Sequence, residues 1–359
     1  MIEFIAPAAY SILQRAAAGS GAEDRTATEV VVSGSTSLAG FEAAIITLTG
    51  ERRVLTPWQA VKPDGRGAFA VTFSVEAGGW YGVAVTVGDQ QYCHGPFGIG
   101  DVFIVAGQSY LGNYHDARLP ITDRDQRVAA YDPQGNFWRI AFDPQPSFDA
   151  PQDAREYWQH CRKMHAQTGY LQYYWGGSIW PAVGDGLVAA TDVPVGFLNV
   201  AFGGTDLALW QPANGPLFPA LTGALATVPK HSAVLWHQGE SDIAGDTDPE
   251  VWYNFFVTLK TTFDRHAGRV TPWIVAKATR HPTLYNKPEL EAAYRKVVDR
   301  IWELDGVIPG PDADRLDQSC RSTMGYSCHL TRTGQEAYAA MWCEAILGSS
   351  VIRRAGRDT

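Results

Sequence analysis

From Asp101 onward, short apolar runs alternate with segments that carry helix signals, and this grammar most constrains the fold. "VFIVA" (102–106), "VPVGFLNVAF" (193–202), "SAVLWH" (232–237) and "TPWIVAKAT" (271–279) are continuous apolar runs of strand length. Such runs suit strands buried on both faces, and their alternation with helices implies a parallel sheet covered on each side. Helices are expected at 249–266, 288–304 and 333–347. Asp248-Pro249 sets a capping residue before a proline at the first helical position, and Pro288 repeats the proline. Thr333 with Glu336 has capping-box spacing.

The first hundred residues read differently. "TEVVVSGS", "EAAIITLTG", "GAFAVTFSVEAGG" and "WYGVAVTVGD" are glycine-punctuated, β-branched and aromatic runs. They predict antiparallel strands of a small sandwich after an opening helical stretch, "AAYSILQRAAA". The expected division is a β-rich accessory domain over 1–100 and an α/β domain over 101–359. Residues 115–175, rich in aromatics, Asp, Gln and Pro, are expected to be a long excursion beside the site. Trp58 and Trp80 could bind sugar or fill the core.

A net charge of −9 argues against a nucleic-acid partner, because nothing offsets phosphate charge. No apolar run reaches membrane-spanning length, and the N-terminus lacks the basic and apolar regions of a signal peptide. Five cysteines leave at least one unpaired and show no CxxC metal spacing. Cys320 and Cys328 could bridge one loop or stay reduced.

Chemistry is concentrated where strands end. Gly107-Gln108-Ser109 follows the first apolar run, which raises Ser109 as a nucleophile against the plainer reading of a turn serine. Gly203-Gly204 closes another, where backbone N–H groups could meet an oxyanion. "LWHQGESD" (235–242) places Gln238, Glu240 and Asp242 together, and an amide is a good neutral donor. His329 stands before the last helix; His115, His160, His165, His231 and His281 have no such context. Together these are the parts needed for acyl transfer to a serine.

"GQS", "GGT", "HQGESD" and the late "HL" resemble the SGNH hydrolases, over roughly residues 101–347. The branch most similar is that of sialate O-acetylesterases and carbohydrate acetylesterases. The resemblance implies a three-layer α/β/α sandwich with a parallel sheet, no metal or other cofactor, and an acetylated carbohydrate as substrate. It implies Ser109 as nucleophile, His329 as base, and an oxyanion hole from the N–H groups of Ser109 and Gly204 with the Gln238 amide. Two positions depart from the family: Tyr110 replaces the usual Asn, and Tyr326 replaces an Asp three residues before the histidine. A neutral tyrosine cannot stabilise an imidazolium as a carboxylate does. Either the acid comes from elsewhere, with Glu240, Asp242, Asp312, Asp314 and Asp317 as candidates, or the enzyme works as a dyad. The family resemblance favours Glu240, with Asp317 the runner-up if a Cys320–Cys328 bridge folds its loop back. Rival readings are an inactive glycan-binding protein on the same fold and a scaffold that acts through its β-rich part. A protease fits the chain order and motif contexts less well.

Overall fold

The computed structural model describes residues 2–16, 27–133, 135–146, 176–281, 285–322 and 329–352. Its strands, in chain order, begin with β1 (Ile2–Ala6), β2 (Ile12–Gln14), β3 (Thr28–Thr36), β4 (Phe41–Thr47), β5 (Gln59–Val61), β6 (Ala68–Val75) and β7 (Gly78–Val87). They continue with β8 (Gln90–Gly107), β9 (Val128–Asp132), β10 (Phe137–Ile140), β11 (Val195–Asn199), β12 (Ala233–His237), β13 (Trp273–Lys277) and β14 (Val307–Asp312). The helices are α1 (Trp180–Thr191), α2 (Phe218–Thr227), α3 (Glu240–Ala244), α4 (Pro249–Ala267), α5 (Pro288–Ile301) and α6 (Arg332–Gly348).

The result is a mixed α/β fold organised by one large sheet. Strands β10-β9-β11-β8-β12-β13-β14 lie side by side. The pairings among them are parallel except for β10 on β9. Alternation along β8 explains why its run is apolar throughout. Val102, Ile104 and Ala106 enter one side-chain cluster, with residues of α2, α4 and α5. Phe103 and Val105 enter another, with residues of α1 and α6. Successive side chains of a strand point to opposite faces, so a strand covered on both sides has no polar face.

The long strand β8 also ties in the N-terminal strands. Its first half pairs antiparallel with β7, and β2 pairs with it in parallel at Gly98–Gly100. Strands β1, β3 and β6 form a separate antiparallel sheet. A third cluster draws Val30, Val32, Phe69 and Phe73 from that sheet and Phe41, Ile45, Val83 and Phe97 from the strands joined to β8. The guanidinium of Arg15 forks onto the Asp101 carboxylate at 3.0 and 2.8 Å, which pins the end of β2 to the middle of β8.

Several expectations need correction. The opening stretch that reads as helical contains strand β2 instead; alanine and leucine favour a helix, but three residues gain ladder bonds to β8. The excursion is not wholly irregular, because β9 and β10 extend the central sheet within it. Its remainder, 147–175, lies outside the described residues. Helix α6 is capped by Thr331, whose hydroxyl accepts from Gly334 N–H, so Thr333 falls inside the first turn. Helix α4 is capped as expected, with Asp248 accepting from Glu250 and Val251. Trp80 is core and donates to Asp125 O, whereas Trp58 is partly exposed. Among the described residues no helix is long and apolar enough to cross a membrane.

Candidate active site

Three loops at the carboxyl ends of neighbouring parallel strands bring the residues together. Ser109 opens a 3-10 turn directly after β8, with its side chain nearly buried. The turn is possible because Gly107 has φ +123° and packs against the adjoining strand. A Cβ there would lie 2.1 Å from His237 O, so no other residue fits. The backbone is then clamped sideways, as Gln108 N–H donates to His237 O at 2.9 Å. On the β11 side, Gly204 has φ +71°. Gly203 N–H donates to the Tyr114 hydroxyl at 3.3 Å.

On the β12 side, His237 closes the strand and Glu240 begins α3. The His237 ring is fully buried, with Nε2 2.7 Å from Glu240 Oε1 and Nδ1 2.6 Å from the Tyr338 hydroxyl. A carboxylate only accepts, so Nε2 carries a proton and donates to Glu240, while Nδ1 is hydrogen-bonded to the Tyr338 hydroxyl. Burial, reinforced by the charge of Glu240, holds the Tyr338 phenol well above its ordinary range, which keeps it a donor. Glu240 Oε2 is buried and has no hydrogen-bond partner.

Tyr110 stands at the centre of this arrangement. It is buried, with its ring stacked on His237 at 4.7 Å and edge-on to Tyr338 at 5.8 Å and His115 at 5.7 Å. The residue after the serine is therefore a wall of the core and not a substrate contact. His329 reaches the same place. Its ring stacks on Tyr114 at 5.5 Å and lies 6.2 Å from the Tyr110 ring and 6.1 Å from the His115 ring. The base expected from the far end of the chain thus meets the residue next to Ser109. His115 donates from Nε2 to Tyr110 O and accepts from Leu330 N–H at Nδ1, and burial, then the nearby His237, push its pKa down to about 3. It stays neutral and structural.

Two expectations about side chains differ from the observed geometry. Gln238, expected to donate to an oxyanion, instead donates from Nε2 to Thr205 O and to Asp242 Oδ2. Both N–H groups are spent in tying the two loops together. The expected hydrogen bond between Glu240 and His329 is not formed, since Oε1 goes to His237 and Oε2 to nothing. Asp317, the runner-up, accepts from Ser319 N–H and its hydroxyl and is fully exposed. Asp312 and Asp314 pair with Arg295. Cys320 is a free thiol, while Tyr326 and Cys328 lie outside the described residues. Among the described residues no group of three His, Cys, Asp or Glu side chains could hold a metal ion.

The pair His237 and Tyr338 is absent from the sequence-based expectations. A signal for half of it exists in the spacing of His237 and Glu240 across Gly239, a turn that returns the carboxylate onto the ring.

Asp242 links the loops more strongly than expected. It accepts from Leu207 N–H at 2.9 Å as well as from Gln238, and burial pushes its carboxyl up to about 7 against those hydrogen bonds. The folded protein then keeps a proton that the unfolded chain releases near its ordinary value of 3.8. The associated stability is present below about pH 4 and is lost as pH rises to 7, by up to about 4 kcal/mol. The Tm of the wild type should fall relative to that of Asp242→Asn between pH 5 and 8. Parallel Tm curves across that range would sink the assignment.

Ser109 stands on a tight turn, His329 lies against the neighbouring Tyr110, and a glycine loop follows the adjoining strand. A family model described as carbohydrate esterase, sialic acid-specific acetylesterase matches residues 99–347. A carbohydrate acetylesterase from Xanthomonas citri superposes with a TM-score of 0.57 at 16% identity, covering 96% of this chain and 74% of that one. A protein from Arabidopsis thaliana gives a TM-score of 0.50 at 16% identity, covering 69% of this chain and 98% of that one. At such identities these two likenesses concern the fold alone. No curated protein matches the sequence significantly.

Proposed function

The chain belongs to the carbohydrate esterase, sialic acid-specific acetylesterase family, and we propose that it deacetylates a carbohydrate through an acyl-enzyme on Ser109. It is a carbohydrate O-acetylesterase. The observation that supports the serine mechanism is the His329 ring 6.2 Å from that of Tyr110, the residue after Ser109, with the Gly203-Gly204 loop on the neighbouring strand.

In this reading His329 takes the Ser109 hydroxyl proton as Oγ attacks the acetyl carbonyl. The N–H groups of Ser109 and Gly204 stabilise the oxyanion. Collapse expels the sugar oxygen, which receives the proton from His329, and water then repeats the sequence on the acetyl-serine. The ring of Tyr114 packs His329 from one side while its hydroxyl accepts from Gly203, so one residue spaces the base from the oxyanion loop. Glu240 is the acid of the proposed triad, acting through the oxygen that His237 leaves unbound. The two clusters on opposite faces of the sheet support a three-layer α/β/α sandwich for residues 101–359. The third cluster supports a β-rich accessory domain over 1–100, with the boundary falling inside the continuous strand β8.

Acyl-chain preference tests the reading. A pocket shaped for acetyl should favour p-nitrophenyl acetate over the butyrate by on the order of 10²-fold or more in kcat/KM, at about tenfold or more for each of the two added methylenes. Acetylated xylan and acetylated sialic acid, tested beside it, report the sugar. Faster turnover of octanoyl esters would mean a lipase-like pocket and overturn the carbohydrate reading.

A further inference from the structure

Arg321 carries a buried guanidinium that the steps above do not use. It is only 4% exposed, and a buried arginine is costly unless its charge and its planar fork are both engaged. Its backbone stands beside the proposed base. Arg321 and Leu330 form an antiparallel bridge, Ser322 N–H donates to His329 O at 2.7 Å, and Thr331 N–H donates to Cys320 O at 3.0 Å. Its side chain reaches the residue that follows Ser109. The guanidinium carbon lies over the Tyr110 ring, 5.5 Å from the centroid, where a cation is attracted by the ring quadrupole. One Nη of the same group donates to Ala313 O at 3.2 Å and to Leu316 O at 3.4 Å. Those carbonyls lie at the two ends of the 3-10 turn Ala313–Arg315 after β14, so a further loop at this end of the sheet anchors the guanidinium. Tyr110 is in turn stacked on His237, with ring planes 11° apart.

We propose that Arg321 is a positioning residue of the ester hydrolysis, tying the segment that carries His329 to the ring beside Ser109 and so fixing the spacing of base and nucleophile. The inference rests on the Ser109–His329 reading above. One side chain spans both supports, so a shift of the late loop is passed on to Tyr110 and opens no gap between the reacting residues. The charge acts at the same place. Behind burial, the charges that act on the Tyr338 hydroxyl are Glu240, Arg321 and Asp314, so the cation shares its surroundings with the proposed acid. His237 and His115 flank the Tyr110 ring. A cation there disfavours the imidazolium on His329 and opposes the Glu240 carboxylate in setting where the base titrates.

The test separates the charge from the fork. Arg321→Lys keeps a cation but cannot bridge two carbonyls and cover a ring at once, whereas Arg321→Met keeps the apolar stem without the charge. Both are assayed as the full chain with p-nitrophenyl acetate across the pH range, beside their unfolding midpoints. Arg321→Met should lose about 10 to 10²-fold in kcat with KM within a few-fold of wild type, as a misplacement of about 1 Å does. The acid limb of its kcat/KM profile should move to higher pH by about half to one unit, the scale for one charge removed on the order of 10 Å away at a partly buried site. Arg321→Lys should lose less in kcat and keep the acid limb of wild type. A folded Arg321→Met that keeps kcat within threefold overturns the proposal. So does a loss of kcat with the acid limb unmoved, which a merely loosened fold would give. If Arg321→Met does not fold, Arg321→Lys decides: kcat within twofold of wild type overturns the proposal, and a larger loss at unchanged KM supports it. Ser109→Ala is assayed in parallel. An inactive Ser109→Ala beside a fully active Arg321→Met removes only the role of Arg321, whereas an active Ser109→Ala removes the nucleophile and this role together.

Discussion

Ser109→Ala is expected to lower kcat for acetyl ester hydrolysis by about 10⁶-fold, the scale set when the nucleophile of a serine hydrolase is lost. What remains is the modest acceleration that substrate binding and oxyanion donors give to attack by water. The substitution removes one hydroxyl from a nearly buried side chain and leaves the turn, the Gly107 approach and the Gln108 clamp in place. Its unfolding midpoint should therefore stay close to that of wild type, which separates lost chemistry from lost fold. A serine-directed phosphonate should label Ser109 in the wild type, as shown by peptide mass. Turnover by Ser109→Ala within a few-fold of wild type would end the assignment.

How much of this is legible in the sequence depends on the range of the interaction. Strand β8 and helices α4 and α5 are legible because their signals are local: an unbroken apolar run, an Asp248 cap, a proline at the first helical position. Strand β2 reads as helix because only its partner at Gly98–Gly100, far along the chain, makes it a strand. Strands β9 and β10 are hidden in a stretch whose polar and aromatic composition masks a short edge pairing. Within the site, the serine, the glycine loop and the histidine are legible as motifs. The partners of side chains are not. Gln238 stands where a donor is expected, and only the acceptors around it decide that its amide is spent. Tyr338, on the last helix, has no sequence feature that marks it as the second partner of His237.

Glu240→Gln is expected to lower kcat by about 10³ to 10⁴-fold with little change in KM, as loss of a triad acid does. The reason lies in its two oxygens. Oε1 is satisfied by His237 Nε2–H, and a glutamine oxygen can accept the same hydrogen bond, so the support beneath Tyr110 should survive. Oε2 is buried and has no hydrogen-bond partner. A buried anionic oxygen with no partner is strongly disfavoured, and it is relieved when a cation or donor arrives. The imidazolium that forms on His329 as Ser109 attacks is such a cation, so the carboxylate stabilises the transition state more than the resting enzyme. Neutralising it withdraws that stabilisation, about 4 to 5 kcal/mol for the stated loss, without touching substrate contacts. Losing a nearby anion also disfavours the imidazolium, so the acid limb of the kcat/KM profile should move to lower pH. If Glu240→Gln instead keeps kcat within tenfold and the acid limb stays where it is, Glu240 serves only to hold His237. The proposed enzyme then works as a Ser109–His329 dyad.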